Sequence, residues 1–274
     1  MFSTIKGLIY RVPFLRDVYA LLGTYYHEYC TNAEAKKLFV NSDEFCRALN
    51  RKAEGVIVLR THDGLSITAR RNIYDVRIVR EIFVEKPYIR RLRLPPAPLI
   101  VDIGGYIGDF TLYAVKYLNA RRVIVYEPTA ENFKLLKQNI ENNSFQDKIT
   151  AVNKAVSDSD ETILNTEVLD HEEVHASRYM YHSAVHRSVS SVTLAELFTN
   201  HQLVSVDLLK VDCEGSEYDI FSSVPVDLFR RIKNIVFEYH KIEGFKAKLD
   251  RVLNRLRSAG YTIKSDKAII SAYQ

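Results

Sequence analysis

The chain has 274 residues, of which 47% are hydrophobic and 26% are charged, and its formal net charge is +4. This composition is typical of a globular protein with a substantial core and excludes a disordered chain. The small positive excess is spread among nearly as many acids, so it gives no reason to expect nucleic acid as a partner. The three cysteines, Cys30, Cys46 and Cys213, indicate neither a disulfide framework nor a metal site. We therefore expect the protein to be located in the reducing cytoplasm.

The first fifty residues have a helical pattern, and we assign residues 1–54 to an N-terminal helical extension. Apolar residues recur at three- and four-residue steps, at Ile5, Leu8, Ile9, Val12, Leu15, Tyr19 and Leu22. We expect this extension to pack on the domain or on the second subunit of a homodimer. The alternative is that residues 1–25 form a basic amphipathic helix on a membrane surface. No apolar run reaches the roughly 18 residues of a membrane span.

Residues 55–98 are predicted to form a β-hairpin and a helix that lead into the core. Two strand-like runs flank His62-Asp63-Gly64, and Asp-Gly between such runs is typical of a hairpin. The helical pattern that follows has one apolar face, formed by Val76, Val79, Ile82 and Phe83. Three prolines mark the end of this unit, at Pro95, Pro96 and Pro98.

From Leu99 onward, strand-like and helical patterns alternate. The strand-like runs are LIVDIG, RVIVYEP, ITAVNKAVS, VDLLKVDCEG and NIVFEYH, followed by the terminal pair in GYTIKSDKAIISAYQ. Alternation of this kind predicts an α/β fold, a parallel sheet with helices on both faces. The last connection is too short for a crossover helix, so the final two strands should form an antiparallel hairpin. Residues 99–274 thus read as a Rossmann-like domain with a mostly parallel seven-stranded sheet.

Residues 158–192 fall between the third and fourth strands and are predicted to be a polar lid over the substrate. This segment holds two histidine pairs, His171/His175 and His182/His186, each with a spacing of four. On a helix each pair would share one face, which leaves a zinc site as the less favoured interpretation.

The stretch IVDIGGYIGDFTL has a glycine turn between a strand and a helix. In an open α/β sheet the ligand binds beyond the carboxyl ends of the strands. Gly104 and Gly108 would let the backbone pass close beneath such a ligand. The spacing G-G-x-x-G after Asp102 departs from the dinucleotide fingerprint G-x-G-x-x-G. Glu127 ends the second strand, where a carboxylate accepts hydrogen bonds from a ribose, and this role suits NAD and S-adenosylmethionine equally.

The stretch LLKVDCEGSEYDIF carries three ionisable residues on an apolar strand, Lys210, Asp212 and Glu214. Such groups are costly in a buried strand unless they reach a cleft or pair with one another. They share one side of the strand if it stays regular, because side chains alternate. Asp212 and Glu214 would then lie at the carboxyl end, where the ligand crevice is expected.

These two stretches resemble motifs of the FkbM-type S-adenosylmethionine-dependent methyltransferases, V-D-x-G-A-N-x-G and K-x-D-x-E-G-x-E. Shorter matches at VYEP, NKAVSD, SSVTLAEL and FEYH extend the likeness from about Asp75 to the C-terminus. The resemblance implies a class I methyltransferase fold, S-adenosylmethionine as cofactor, and methyl transfer to a small-molecule or glycan acceptor. The acceptor group it implies is a hydroxyl on a sugar, glycolipid precursor or secondary metabolite. In one departure, Gly105-Tyr106 replaces the family's Ala-Asn, so Tyr106 would either face solvent or cover the methionine end of the cofactor.

The resemblance implies a set of cofactor-binding residues: Asp102, Gly104, Gly105, Tyr106, Gly108, Glu127, Ala155, Val156 and Asp212. The candidate catalytic residues are Glu214, His240 and Asp212, because a hydroxyl gains from a nearby base and imidazole titrates near neutrality. We expect no metal, although a divalent ion on these three residues could replace the base.

Three other functions stay open at this point: N-methylation of a small amine, oxidoreduction with NAD, and a non-catalytic role as an assembly partner. An oxidoreductase predicts a full G-x-G-x-x-G and a Tyr-x-x-x-Lys pair, and neither is present. The intact Glu127, Asp212 and Glu214 argue against a non-catalytic role.

Overall fold

The computed structural model describes residues 33–50, 53–89, 92–159, 161–169, 172–177 and 185–274. Residues 1–32 of the predicted N-terminal extension lie outside the described residues, and the proposed contacts of this extension stay predictions. Residues 33–38 and helix α1 (Ser42–Asn50) are helical. No helix of the described part is both long and apolar enough to span a bilayer.

The predicted hairpin and its helix are both present. Strand β1 (Val56–Arg60) pairs antiparallel with β2 (Ser66–Arg70). Helix α2 (Ile73–Arg80) follows and continues as one π-helical turn, Glu81–Glu85. The predicted apolar face is buried at all four positions, Val76, Val79, Ile82 and Phe83. These side chains share one hydrophobic cluster with residues of the central sheet and its first helix, so the hairpin unit packs directly on the larger domain.

The rest of the chain contains, in order, β3 (Leu99–Ile103), α3 (Asp109–Tyr117), β4 (Arg122–Tyr126), α4 (Ala130–Asn142), β5 (Ile149–Val152), β6 (Ala155–Val156), β7 (Glu161–Leu169), β8 (Glu172–Ser177), β9 (Val185–Val192), α5 (Leu194–Asn200), β10 (Leu208–Val211), α6 (Glu217–Ser223), α7 (Val226–Phe229), β11 (Asn234–Glu238), α8 (Phe245–Ser258), β12 (Thr262–Asp266) and β13 (Ile269–Tyr273).

The central sheet has seven strands in the order β12-β13-β11-β10-β3-β4-β5. Its pairs are parallel except those made by β13, which runs antiparallel to both β11 and β12. This confirms the predicted Rossmann-like α/β fold with its terminal hairpin. Chain order reverses where β3 lies next to β10, and this is the switch point at which ligands bind in such sheets.

The prediction that ITAVNKAVS forms a single third strand is wrong. The structure divides it into β5, in the central sheet, and β6, which pairs with β9 in a second sheet of order β6-β9-β7-β8. Asn153 lies at the break, where its side-chain amide donates to the carbonyl oxygens of Glu127 (2.8 Å) and Pro128 (3.0 Å). These bonds tie the chain to the end of β4 as it leaves the central sheet.

The segment 158–192 forms strands where the structure describes it. His175 lies in β8 and His186 in β9, so the four-residue spacing does not place the histidine pairs on a helix face. His171 and His182 lie outside the described residues. The role of this segment as a lid stays a prediction.

Candidate active site

A cavity of about 270 Å³ opens at the carboxyl ends of β3, β4, β10 and β11. Eight of the eleven predicted site residues line it: Gly104, Tyr106, Glu127, Ala155, Val156, Asp212, Glu214 and His240. The other three, Asp102, Gly105 and Gly108, are not among the lining residues. The sequence motifs therefore converge on one site at the switch point of the sheet.

The glycine turn is needed for contacts within the protein. A Cβ at Gly104, which has φ +81°, would lie 1.8 Å from the carbonyl oxygen of Asp212. At Gly108, with φ +89°, it would lie 2.7 Å from a methyl carbon of Leu136. We expected these glycines to let the backbone pass close beneath a ligand, and that explanation is incomplete. The turn must first fit against β10 and α4.

A buried ion pair fixes this turn to the acidic stretch. Lys210 Nζ lies 3.1 Å from Asp102 Oδ1 and donates to the Gly104 carbonyl oxygen at 2.7 Å, while Thr111 donates to Asp102 Oδ2 at 2.6 Å. Burial opposes the charge of Lys210, but the carboxylates of Asp102 and Asp212 raise its pKa above the ordinary range. The lysine therefore stays charged and holds the ends of β3 and β10 together.

Glu127 is 4% exposed and is held by backbone donors on both sides. Its Oε2 accepts from the Tyr106 amide, and its Oε1 accepts from the Thr129 amide, each at 2.9 Å. Burial raises its pKa, and the two amides partly offset this effect. The carboxylate is therefore positioned before any ligand binds.

Tyr106 connects the glycine turn to the hairpin unit. Its hydroxyl donates to Asp75 Oδ1 at 2.7 Å, and Asp75 is fully buried against Arg70, whose Nε lies 3.0 Å from the other oxygen. The Arg70 guanidinium also lies over the Tyr106 ring, 5.4 Å from its centroid. The hydroxyl thus points into the protein, which contradicts the expectation of a solvent-facing Tyr106. That Tyr106 covers the methionine end of the cofactor stays a prediction.

His240 lies among three carboxylates. Its Nε2 is 3.4 Å from Glu214 Oε2 and 3.9 Å from Asp212 Oδ1, and its Nδ1 is 3.3 Å from Glu217 Oε1. Burial lowers the pKa of the imidazole, but the hydrogen bond with Glu217 and the charges of the three acids raise it to about 10. The expectation that it titrates near neutrality does not hold here. At neutral pH the side chain is an imidazolium and a proton donor.

The sequence reasoning missed three residues of this region, Glu217, Tyr88 and Glu238. Glu217 is fully buried and accepts from the backbone amides of Gly215 (2.8 Å) and His240 (2.7 Å). It is the last acid of the K-x-D-x-E-G-x-E motif, a signal that could have identified it.

Tyr88 and Glu238 line the cavity beside Asp212. The Tyr88 hydroxyl oxygen lies 2.8 Å from Asp212 Oδ2 and 3.1 Å from Glu238 Oε2. A hydroxyl has one hydrogen and can donate to only one of these carboxylates at a time. Burial, together with the charge of Asp212, raises the pKa of Glu238 to about 7. A shared proton in this group is therefore consistent with the geometry at neutral pH.

With this geometry established, comparison with known proteins identifies the family. Residues 102–263, more than half of the chain, match the family model described as the methyltransferase FkbM domain. The chain belongs to the FkbM methyltransferase family. The match begins at Asp102 and covers every predicted site residue of this methyltransferase, whereas the hairpin unit lies outside it.

Two curated relatives of this FkbM-family methyltransferase align over most of their own length. Methyltransferase sdnD of Sordaria araneosa is 24% identical over 75% of this chain and 89% of its own. The 31-O-demethyl-FK506 methyltransferase FkbM of Streptomyces tacrolimicus is 24% identical over 77% of this chain and 91% of its own. Among solved structures, an FkbM methyltransferase from Methylobacillus flagellatus has 14% identity and a TM-score of 0.48. That alignment covers 85% of this chain and 59% of the solved one.

Proposed function

We propose that this methyltransferase uses S-adenosylmethionine to methylate a hydroxyl on a sugar, glycolipid precursor or secondary metabolite. The observation that carries the proposal is the cavity at the switch point, which brings Glu127 together with the group Asp212, Glu214 and His240. The strand order places β4, and with it Glu127, on one side of this point and β11, with His240, on the other. The relative from Streptomyces tacrolimicus is named for an O-demethyl compound, which favours oxygen as the acceptor atom.

The charge of the cavity supports this cofactor over a nicotinamide dinucleotide. Acidic side chains outnumber basic ones in its lining, six against two lysines and one histidine: Glu81, Asp109, Glu127, Asp212, Glu214 and Glu238, with Lys154, Lys210 and His240. A cavity with this balance attracts a cation and repels the pyrophosphate of NAD. The glycine turn also lacks the dinucleotide spacing.

The residues present fit the parts of S-adenosylmethionine. Glu127 would accept from the ribose hydroxyls, and Ala155 and Val156 would contact the adenine. The acidic lining would compensate the positive charge of the sulfonium. When bound, the cofactor supplies a methyl group on sulfur that a nucleophile takes by in-line displacement.

The protein's own part in the reaction is to orient the acceptor and remove its proton. The three carboxylates around His240 raise its pKa to about 10, which disfavours it as the base at neutral pH. We assign that role to a carboxylate of the adjacent pair, Asp212 or Glu214. The imidazolium orients both, since its Nε2 faces an oxygen of each. When the Tyr88 hydroxyl donates to Asp212 rather than to Glu238, it holds the second oxygen of Asp212 and so fixes the direction of the first.

Calorimetry with S-adenosylhomocysteine and with NAD tests the cofactor. We expect the first ligand to bind and the second to give no heat of binding, whereas binding of NAD alone would overturn the proposal. A screen of metabolite extracts for products heavier by one methyl group would then identify the acceptor. Glu214→Gln and Asp212→Asn should lower turnover while S-adenosylhomocysteine still binds. Full turnover by both variants would remove the carboxylate base from the scheme.

A further inference from the structure

The cavity holds a buried carboxylate to which no role has yet been given. Asp109 is the first residue of α3, lines the cavity and is 4% exposed. Its Oδ1 accepts from the Phe110 amide. Its Oδ2 is buried and has no hydrogen-bond partner among the residues that the structure describes. A buried oxygen of this kind is costly unless a donor from outside the protein, a ligand or a water molecule, reaches it.

The nearest cation in the protein does not fill this need. Lys210 is committed to Asp102 and to the Gly104 carbonyl oxygen. The charged groups that act on Asp109 are Lys210, Asp102 and Asp212, two of which are themselves acids. Burial raises the pKa of Asp109 to about 7, because the attraction of Lys210 offsets the lost solvation only in part. Lys210 therefore faces three acids, Asp109 included, and does not neutralise them.

The position of Asp109 indicates which cation it would meet. Glu127, the expected ribose partner, follows β4, while Asp212 follows β10 on the other side of the β3 turn. Asp109 lies at the end of this turn, between the two. A cofactor whose ribose is at Glu127 and whose sulfur is near Asp212 would bring its amino-acid tail past Asp109. Among the described residues, no three His, Cys, Asp or Glu side chains are grouped to hold a metal ion, which favours an ammonium group.

We propose that Asp109 Oδ2 accepts a hydrogen bond from the α-ammonium group of the cofactor's methionine tail. This inference rests on the proposed use of S-adenosylmethionine and adds a binding residue to it. The contact would discriminate the intact cofactor from molecules that share only its adenosine part. It would also restore the charge of Asp109, since an ammonium group at hydrogen-bond distance stabilises the ionised carboxylate.

The test is calorimetry of the full chain with two ligands, S-adenosylhomocysteine and its des-amino analogue, which lacks only the α-ammonium group. A hydrogen bond to a charged group corresponds to roughly tenfold or more in affinity. We expect the wild-type protein to prefer S-adenosylhomocysteine by this factor, and Asp109→Asn to bind both ligands nearly equally. Asp227→Asn, at a surface acid that is 90% exposed, is the matched control and should keep the wild-type preference.

A second readout uses pH and needs no variant. Between pH 6 and 8 the affinity of the wild-type protein for S-adenosylhomocysteine should rise more steeply than its affinity for the analogue, as Asp109 ionises. An equal affinity of the wild-type protein for the two ligands would overturn the inference, as would an unchanged preference in a folded Asp109→Asn. Failure of both ligands to bind the wild-type protein would instead refute the proposed cofactor.

Discussion

The Tyr106 hydroxyl joins the glycine turn to Asp75 of the hairpin unit, and Tyr106→Phe removes this hydrogen bond while it keeps the aromatic ring. The ring and its stacking on Arg70 stay in place. Asp75 keeps two donors from Arg70, the backbone amide at 2.9 Å and Nε at 3.0 Å. The substitution therefore leaves no buried charge without a partner.

The size of the effect follows from these remaining bonds. A hydrogen bond to a charged group contributes about 1.5–3 kcal/mol. Because Asp75 stays bonded to Arg70, we expect the lower end, a loss of about 1.5 kcal/mol in the free energy of unfolding. Tyr106 has φ +50°, a left-handed conformation that a free loop would leave. If this whole loss of free energy must be supplied again to order the turn when the ligand binds, the affinity for S-adenosylhomocysteine falls by about tenfold.

Urea unfolding measures the first effect and calorimetry with S-adenosylhomocysteine the second. Tyr117→Phe is the matched control, because its hydroxyl bonds Asp63 at 3.1 Å in an exposed contact away from the cavity. We expect this control to change either quantity by much less. Wild-type values for Tyr106→Phe in both assays would refute the idea that the hairpin unit holds the turn.

Three further substitutions probe the turn, the ribose carboxylate and the imidazolium. Gly104→Ala should lower the melting temperature strongly, because its Cβ would meet the Asp212 carbonyl at 1.8 Å; a wild-type melt would contradict the packing described. Glu127→Ala should weaken S-adenosylhomocysteine binding by at least roughly tenfold in calorimetry, since it removes charged hydrogen bonds to the ribose; unchanged affinity would exclude this role. The pKa of His240 is raised from 6.5 to about 10, so its stabilisation is complete below pH 6.5 and is lost as pH rises through 10. Urea midpoints at pH 7 and pH 10 should therefore differ less in His240→Gln than in the wild-type protein, and equal differences would refute the assignment.

The central sheet could be predicted because its strands are buried on both faces. A strand of this kind is a continuous apolar run, and LIVDI is buried at every position. The break between β5 and β6 could not be predicted in the same way. The run ITAVNKAVS looks continuous, and the bonds that end it come from Asn153 to carbonyl oxygens on another strand. Residues 158–192 have no dominant period, so their strands gave no comparable signal.

The candidate site was predictable where its residues lie in short motifs and not where it depends on distant contacts. Tyr88 is 124 residues from Asp212 and 150 from Glu238, and no local pattern indicates that they meet. The state of His240 is a second example. From the sequence, a histidine at the end of a strand is predicted to titrate near neutrality, but in the structure buried Glu217 and two further acids surround it. Only the folded arrangement determines its charge.

The departure of this chain from the family motif has a physical explanation outside the matched region. The family match begins at Asp102, whereas the partner of the Tyr106 hydroxyl is Asp75, in the hairpin unit. A tyrosine at this position needs an acceptor for its hydroxyl, and Asp75 Oδ1 supplies it, while Arg70 Nε bonds both oxygens of Asp75. Tyr106 therefore depends on an acceptor in the hairpin unit, which also shares its hydrophobic core with the sheet. A chain that began at residue 99 would lose this acceptor and expose that core. We therefore expect removal of the hairpin unit to destabilise the glycine turn as well.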